Sequence, residues 1–346
     1  HMSTVIDAWA ELGSDAGRGN LVGIQPTMMF SDYRSAGSFY AALDRYFAAA
    51  MARGWLGPQT IVVLPEYLGT WLVAVDAPAT LFRSTHLARA LARLALRHAG
   101  AFAAGFLRAP RSDRVKYALF RTRAGAMAAA YTEVFAALAR RYRITIVAGS
   151  ILLPAPHIRA GRVVGSSGAL ENIAAVFHPN GLADDQLARK HFLTSAEQPF
   201  IAPAPRVAPP VYATPAGRLA VLVCADAFYP ASYAALAARE VKLLAVPSYL
   251  ETSNIWQQPW PGYNGSPPPT DVDLRDVGAI TERQAWLRYG MAGRIAAAGI
   301  PYGINVFLRG TILDLGSDGT TLLARQGEIA ETPMAARSAL ASVWLS

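Results

Sequence analysis

The stretch Leu219-Ala-Val-Leu-Val-Cys224-Ala225-Asp226-Ala-Phe-Tyr229-Pro230 decides the fold. Its first five residues are uniformly apolar and too short for a helix, so they read as a buried strand. Pro230 suits the first turn of a helix, where its missing N–H removes no hydrogen bond. A strand that turns at once into a helix is a joint of layered α/β architecture. Cys224 falls at the corner, at a sheet edge and near the positive end of a helix dipole, which favours thiolate.

The same alternation runs outward in both directions. Short apolar runs predict strands over Leu21–Gln25, Thr60–Pro65, Ile144–Ser150, Asn172–Phe177, Arg218–Cys224, Leu243–Pro247, Gly303–Phe307 and Thr311–Leu315. Helical spacing predicts helices over Ser35–Arg53, His86–His98, Ala124–Arg141, Ala231–Arg239 and Thr281–Ala298. His178-Pro-Asn-Gly181 and Ser317-Asp-Gly319 supply turns in which Asn-Gly and Asp-Gly accept positive φ.

With 346 residues, 53% hydrophobic and 16% charged, the chain holds too much apolar material for disorder. A single domain over 1–346 is expected, with an inserted segment at about 70–123 and a pocket-covering loop at about 253–276. That loop is rich in proline and aromatic residues. Within the first insertion Arg89, Arg93 and Arg97 recur opposite Leu87, Leu91 and Leu94, an amphipathic helix. It reads first as packed on the core or a partner subunit, and second as attached to a membrane surface.

His1-Met2 reads as a cloning remnant, and no leader pattern follows it, so a cytoplasmic protein is expected. The weakly charged stretch from Leu219 to Ala238 contains Asp226 and Pro230 and reads as strand, turn and helix, not as a membrane span. One cysteine permits neither an intrachain disulfide nor a thiolate-rich zinc site. The net charge of +8 comes from scattered arginines without a nucleic-acid-binding motif, so no nucleic-acid partner is expected. Only Lys116, Lys190 and Lys242 persist as lysines among 32 basic residues, which marks them as positions where a compact ammonium matters.

Three residues could carry chemistry. Cys224 is a potential nucleophile, although a free cysteine in an apolar strand is more often inert packing. Glu66 ends the strand Thr60-Ile-Val-Val-Leu-Pro65 and could be a general base, or merely a solvated loop carboxylate. Lys190 follows a strand and turn and, by residue type alone, would be exposed.

Together they say more. Leu64-Pro65-Glu66, Arg189-Lys190-His191-Phe192-Leu193 and Cys224-Ala225-Asp226-Ala-Phe-Tyr229-Pro230 occur in the order of the nitrilase-like carbon-nitrogen hydrolase superfamily, which the chain resembles. Leu21–Pro26, Val147-Ala-Gly-Ser150, Glu171–Gly181, Gly303-Ile-Asn305 and Arg309–Gly319 extend the resemblance over roughly residues 20–330. Ala225 departs from the larger residue usual after the nucleophile. The 124 positions from Glu66 to Lys190 exceed the usual gap, and Gly293-Arg-Ile-Ala-Ala-Ala-Gly299 lacks the Arg-Ala-x-Glu-Asn pattern frequent before Gly303.

The resemblance implies a four-layer α-β-β-α sandwich with Glu66, Lys190 and Cys224 as catalytic triad, commonly dimerised through outer helices. It implies thiol-dependent hydrolysis of a linear amide through a Cys224 thioester, with Lys190 and the Ala225 N–H stabilising the oxyanion and no metal or organic cofactor. Glu197 is expected as an auxiliary acid, and Tyr249, Trp256 and Trp260 as pocket walls. Nitrile hydrolysis and acyl transfer use the same triad, and a catalytically idle scaffold is the reading from another class. Partners are therefore a small-molecule amide or nitrile and further copies of the chain, in a homodimer or higher homo-oligomer.

Overall fold

The computed structural model describes residues 6–334 and 336–346; His1-Met2 lies outside them. In chain order the first half comprises β1 (Ala8–Leu12), β2 (Asn20–Gln25), α1 (Ala36–Ala52), β3 (Thr60–Val63), α2 (Leu87–Arg97), α3 (Ala99–Leu107), α4 (Arg114–Tyr142), β4 (Thr145–Pro154), β5 (His157–Arg159), β6 (Arg162–Val164), β7 (Leu170–Phe177) and β8 (Ala188–Arg189). The second half adds β9 (Val211–Thr214), β10 (Gly217–Val221), α5 (Pro230–Ala234), β11 (Leu243–Ser248), α6 (Glu282–Tyr289), α7 (Met291–Arg294), β12 (Tyr302–Phe307), β13 (Leu322–Arg325), β14 (Glu328–Glu331) and β15 (Ala339–Trp344).

Two large sheets result, ordered β1-β15-β2-β3-β4-β7-β8 and β14-β13-β12-β11-β10-β9. The central strands are buried on both faces, which is why they read as continuous apolar runs. Alternate residues nonetheless serve different layers: Val22, Ile24 and Val62 join α1 and α4, while Leu21, Ile61 and Val63 meet the second sheet. Residues of α6 and α7 cover that second sheet from outside, completing the four-layer α-β-β-α sandwich. Gly23 faces the second sheet directly; a Cβ there would stand 2.7 Å from Ile304 Cδ1.

Four expected elements differ. Helix α4 begins ten residues earlier than predicted, because Asp113 caps it by accepting from the Lys116 N–H at 3.0 Å. The predicted helix 281–298 breaks at Gly290, whose extended backbone leaves Trp286 O only 2.7 Å from where a Cβ would lie. The predicted helix 231–239 gives one turn of α5 and then irregular backbone with Ala238 and Glu240 at positive φ. Thr311–Leu315 is a tight turn, not a strand, with Leu313 at φ 60° and Ile312 bridged to Leu315.

Within 70–123, Leu72, Val73, Tyr117 and Leu119 are buried in the main core, and α2 packs Ala90 and Leu94 against it. Much of the remainder of α2 and α3 faces outward.

Strand β4 carries the irregularity that matters for the site, a bulge between Val147 and Ser150. Gly149 takes φ +73°, and a Cβ there would lie 2.3 Å from Pro65 O. The bulge presents groups that pin the segment after β3: Ser150 N donates to Pro65 O at 3.2 Å, and Ser150 Oγ accepts from Tyr67 N at 2.8 Å. Gly149→Ala therefore strains the backbone that presents Glu66. It is expected to cost about 1–3 kcal/mol, read as a lowered denaturant midpoint.

Candidate active site

Three chain segments meet where strands end. Glu66 lies just beyond β3, Lys190 just beyond β8, and Cys224 just beyond β10. Both ends of the constellation carry unusual backbone: Cys224 has φ 51° and Tyr67, after Glu66, has φ 61°. L-residues adopt this region at a cost of roughly 1–2 kcal/mol each, and such strain clusters at functional sites. Ahead of the one-turn α5, a tight turn over Cys224–Phe228 forms the corner. The Ala225 N–H lies in its first residues, where the turn itself supplies no acceptor.

The side chains converge. Lys190 Nζ lies 2.8 Å from Glu66 Oε1 and 2.9 Å from Glu197 Oε1, with all three side chains buried. Asn172 Nδ2 donates to the same Glu66 oxygen at 2.9 Å. The Cys224 Sγ lies 3.9 Å from the Tyr249 carbonyl oxygen, to which the thiol donates, and the sulfur is near enough to feel the Glu66 charge. With Oε1 occupied by two donors, Oε2 is the Glu66 oxygen open to a proton.

Electrostatics assign different states to the two glutamates. Burial works to raise Glu197, but Lys190, the Tyr67 hydroxyl and the Thr194 N–H at 2.8 Å outweigh it and hold the carboxyl below its ordinary range. Glu66 has fewer donors; burial, reinforced by the Glu197 charge, raises it despite Lys190. Burial opposes the Lys190 charge too, yet the two carboxylates overcome this and hold the ammonium well above its usual value. Burial first and Glu66 second push the Cys224 thiol well up. The sulfur therefore rests protonated beside a base, which corrects the expectation that a helix dipole favours thiolate.

Asp226 ties two of these segments together. Its carboxylate accepts from Phe192 N at 2.7 Å and His191 N at 3.1 Å, the two residues after Lys190. Burial pushes it up to about 7 against those donors. Tyr229 repeats the attachment, stacking on Phe192 with ring centroids 3.6 Å apart. The Asp and Tyr of the Cys-x-Asp-x-x-Tyr stretch thus hold the lysine segment against the cysteine corner.

Of the expected residues, Glu66, Lys190, Cys224, Ala225 and Glu197 come together, with Tyr249 beside them. The Tyr249 ring packs edge-on against Tyr67 at 5.8 Å. Trp256 and Trp260 are buried in an aromatic layer, Trp256 against Trp286 and Phe307, Trp260 against Tyr263 and Tyr289, which holds the cover in place. Tyr67, Thr194, Ser150 and Asn172 were not foreseen. Asn172 alone left a signal, an amide directly before the apolar run Ile173–Phe177 of its strand.

The description Carbon-nitrogen hydrolase matches residues 44–264, well over half of the chain. No curated protein matches. Among solved structures, an amidase from Nesterenkonia sp. is similar with a TM-score of 0.56 at 16% identity, covering 94% of this chain and 90% of that one. A mutant of the Nesterenkonia sp. AN1 amidase with acrylamide added at its active-site cysteine gives 0.56 at 15% identity, over 95% and 93% of the two chains. A further mutant, with the acetamide moiety of fluoroacetamide on that cysteine, gives 0.55 at 15% identity over 94% and 90%. At such identity these likenesses establish a shared fold. The family match spans well over half of the chain and the fold agrees with it: the chain belongs to the carbon-nitrogen hydrolase family.

Proposed function

We propose that the protein hydrolyses the C–N bond of a small linear amide through a thioester on Cys224. The observation that carries this reading is one buried carboxylate, Glu66, paired with the Lys190 ammonium at 2.8 Å while its charge acts on the nearby Cys224 thiol. A thiol beside a buried base needs no prior ionisation; it gives up its proton as it attacks.

In the first half-reaction Glu66 takes the thiol proton while sulfur bonds to the amide carbon, and the carbonyl π pair moves onto oxygen. The Lys190 ammonium and the Ala225 N–H stabilise that oxyanion. The pair returns, the C–N bond breaks, and Glu66 returns its proton to the departing amine. Water then attacks the thioester, losing a proton to Glu66, and the acid leaves as the proton passes back to sulfur. Glu197 fixes Lys190 from the far side, held in turn by Tyr67 and Thr194. The tight burial of Cys224 favours a slender substrate.

Intact mass spectrometry tests the reading. A panel of linear amides, with nitriles and added acceptor amines as separate arms, is expected to give an acyl adduct on wild-type protein and ammonia release without acceptor. Turnover only with an acceptor indicates acyl transfer, and no adduct from a broad panel indicates a scaffold. The pH profile carries a sign. Glu66 acts as base only when ionised, and burial raises it, so kcat/KM should climb with pH through a limb above the usual glutamate range. Because the thiol is also pushed up, the plateau should extend beyond the ordinary titration of a free thiol.

A further inference from the structure

From the α2–α3 hairpin we infer a second surface, unrelated to the C–N chemistry, that docks the protein on an anionic phospholipid bilayer. Between residues 77 and 112 the chain carries Arg83, Arg89, Arg93, Arg97, Arg108 and Arg111 and no acidic residue. Thr80, Arg83, Ser84, Thr85, Arg89 and Arg93 line a hollow of about 310 Å³. Within it Arg93 Nη1 donates to Ser84 Oγ at 2.9 Å, so a guanidinium stands pre-oriented among three hydroxyl residues. This is the chemistry of a phosphate headgroup site.

Beside the arginines lies apolar surface without cover. Helix α3, Ala-Gly-Ala-Phe-Ala-Ala-Gly-Phe-Leu, has no polar side chain, yet Ala99, Gly100, Ala101, Ala103, Ala104 and Leu107 are exposed. Leu96 at the end of α2 and Leu107 at the end of α3 are each 78% exposed. The inner side of α3 is spoken for, with Gly105 packed closely on Ala118 of α4. Arg114 lies over the Phe106 ring at 5.7 Å, so positive charge borders the apolar face directly.

Charge complementarity selects the occupant. A second copy would set the same arginines against each other across a two-fold axis, with no acid on the hairpin to pair them. Nucleic acid would satisfy the arginines but leave Leu96, Leu107 and α3 in water. A bilayer surface with anionic headgroups meets both needs: phosphates for the guanidinium groups and acyl chains for the leucines. Nine residues of helix span about 13 Å, far short of a hydrocarbon core of about 30 Å. Among the described residues no helix is long and apolar enough to cross a membrane. The hairpin therefore lies in the surface. Its far end is bonded to the segment after Glu197, through Arg111 Nη1 to Gln198 O at 3.1 Å and Asp113 N to Pro199 O at 2.9 Å.

Vesicle co-sedimentation of the purified full chain tests this. Wild type is expected to sediment with phosphatidylcholine vesicles containing 30% phosphatidylglycerol, to bind pure phosphatidylcholine far more weakly, and to be released by salt. Arg89→Glu/Arg97→Glu should reduce binding by about 30-fold or more, and Leu96→Glu/Leu107→Glu by about 10-fold. Unchanged far-UV circular dichroism guards against misfolding. Equal binding by wild type and both variants, or no wild-type binding at 50 mM NaCl, overturns the proposal. So does retention on duplex DNA alone, or a wild-type dimer that the leucine variant splits while vesicles stay unbound.

Discussion

Replacing Cys224 by alanine is expected to lower amide turnover by about 10⁴-fold or more, because the proposed bond to the substrate carbon has no other donor. The chain contains no second cysteine. The change removes one sulfur from a corner whose strain, φ 51°, is a property of the backbone and persists in the variant. Melting temperature should therefore fall little, and substrate binding should survive. Isothermal titration with a slowly turned-over amide, alongside single-turnover kinetics, separates the two. A variant that retains even a hundredth of wild-type activity would remove Cys224 from the mechanism.

The second large effect belongs to Lys190. Replacement by methionine keeps much of the volume but leaves Glu66 and Glu197 facing each other, buried, without the cation that both contact. Breaking a buried ion pair in this way costs about 3–5 kcal/mol. The loss should depend on pH with a definite sign. Without the ammonium, both folded-state carboxyls titrate above their unfolded values. Stability is then greatest in acid and declines as pH rises through that window. Denaturant midpoints at pH 5 and pH 8 should show the larger deficit at pH 8. Activity is expected to fall by about 10² to 10³ from loss of the oxyanion donor alone. Lys190→Arg should not rescue it, since a planar guanidinium cannot sit as a point charge between two oxygens on opposite sides.

The sequence showed the layered architecture well because the central strands are buried on both faces and read as unbroken apolar runs. It showed the triad for a different reason: Glu66 and Cys224 follow such runs, whereas Lys190 follows the short polar-edged β8 and was legible only through the resemblance of its Arg-Lys-His-Phe-Leu context. Elements governed by single backbone contacts were hidden. The break at Gly290 depends on Trp286 O, and the turn at Leu313 on a positive φ that no pattern of hydrophobicity encodes. Supporting residues were hidden likewise. Tyr67 and Thr194 matter because the chain folds them onto Glu197, and a hydroxyl on a loop gives no sign of which carboxylate it will meet. For Trp256 and Trp260 composition leaves the role open, since aromatic density marks a packed cover as readily as a binding wall.

The protonated state of the sulfur has a consequence for the life of the protein outside its reaction. Oxidants and alkylating agents consume thiolate far faster than thiol. A sulfur kept neutral by burial first and by a neighbouring carboxylate second should withstand peroxide and disulfide exchange between turnovers. Its nucleophilicity is released only when a fitted carbonyl draws the proton across to Glu66.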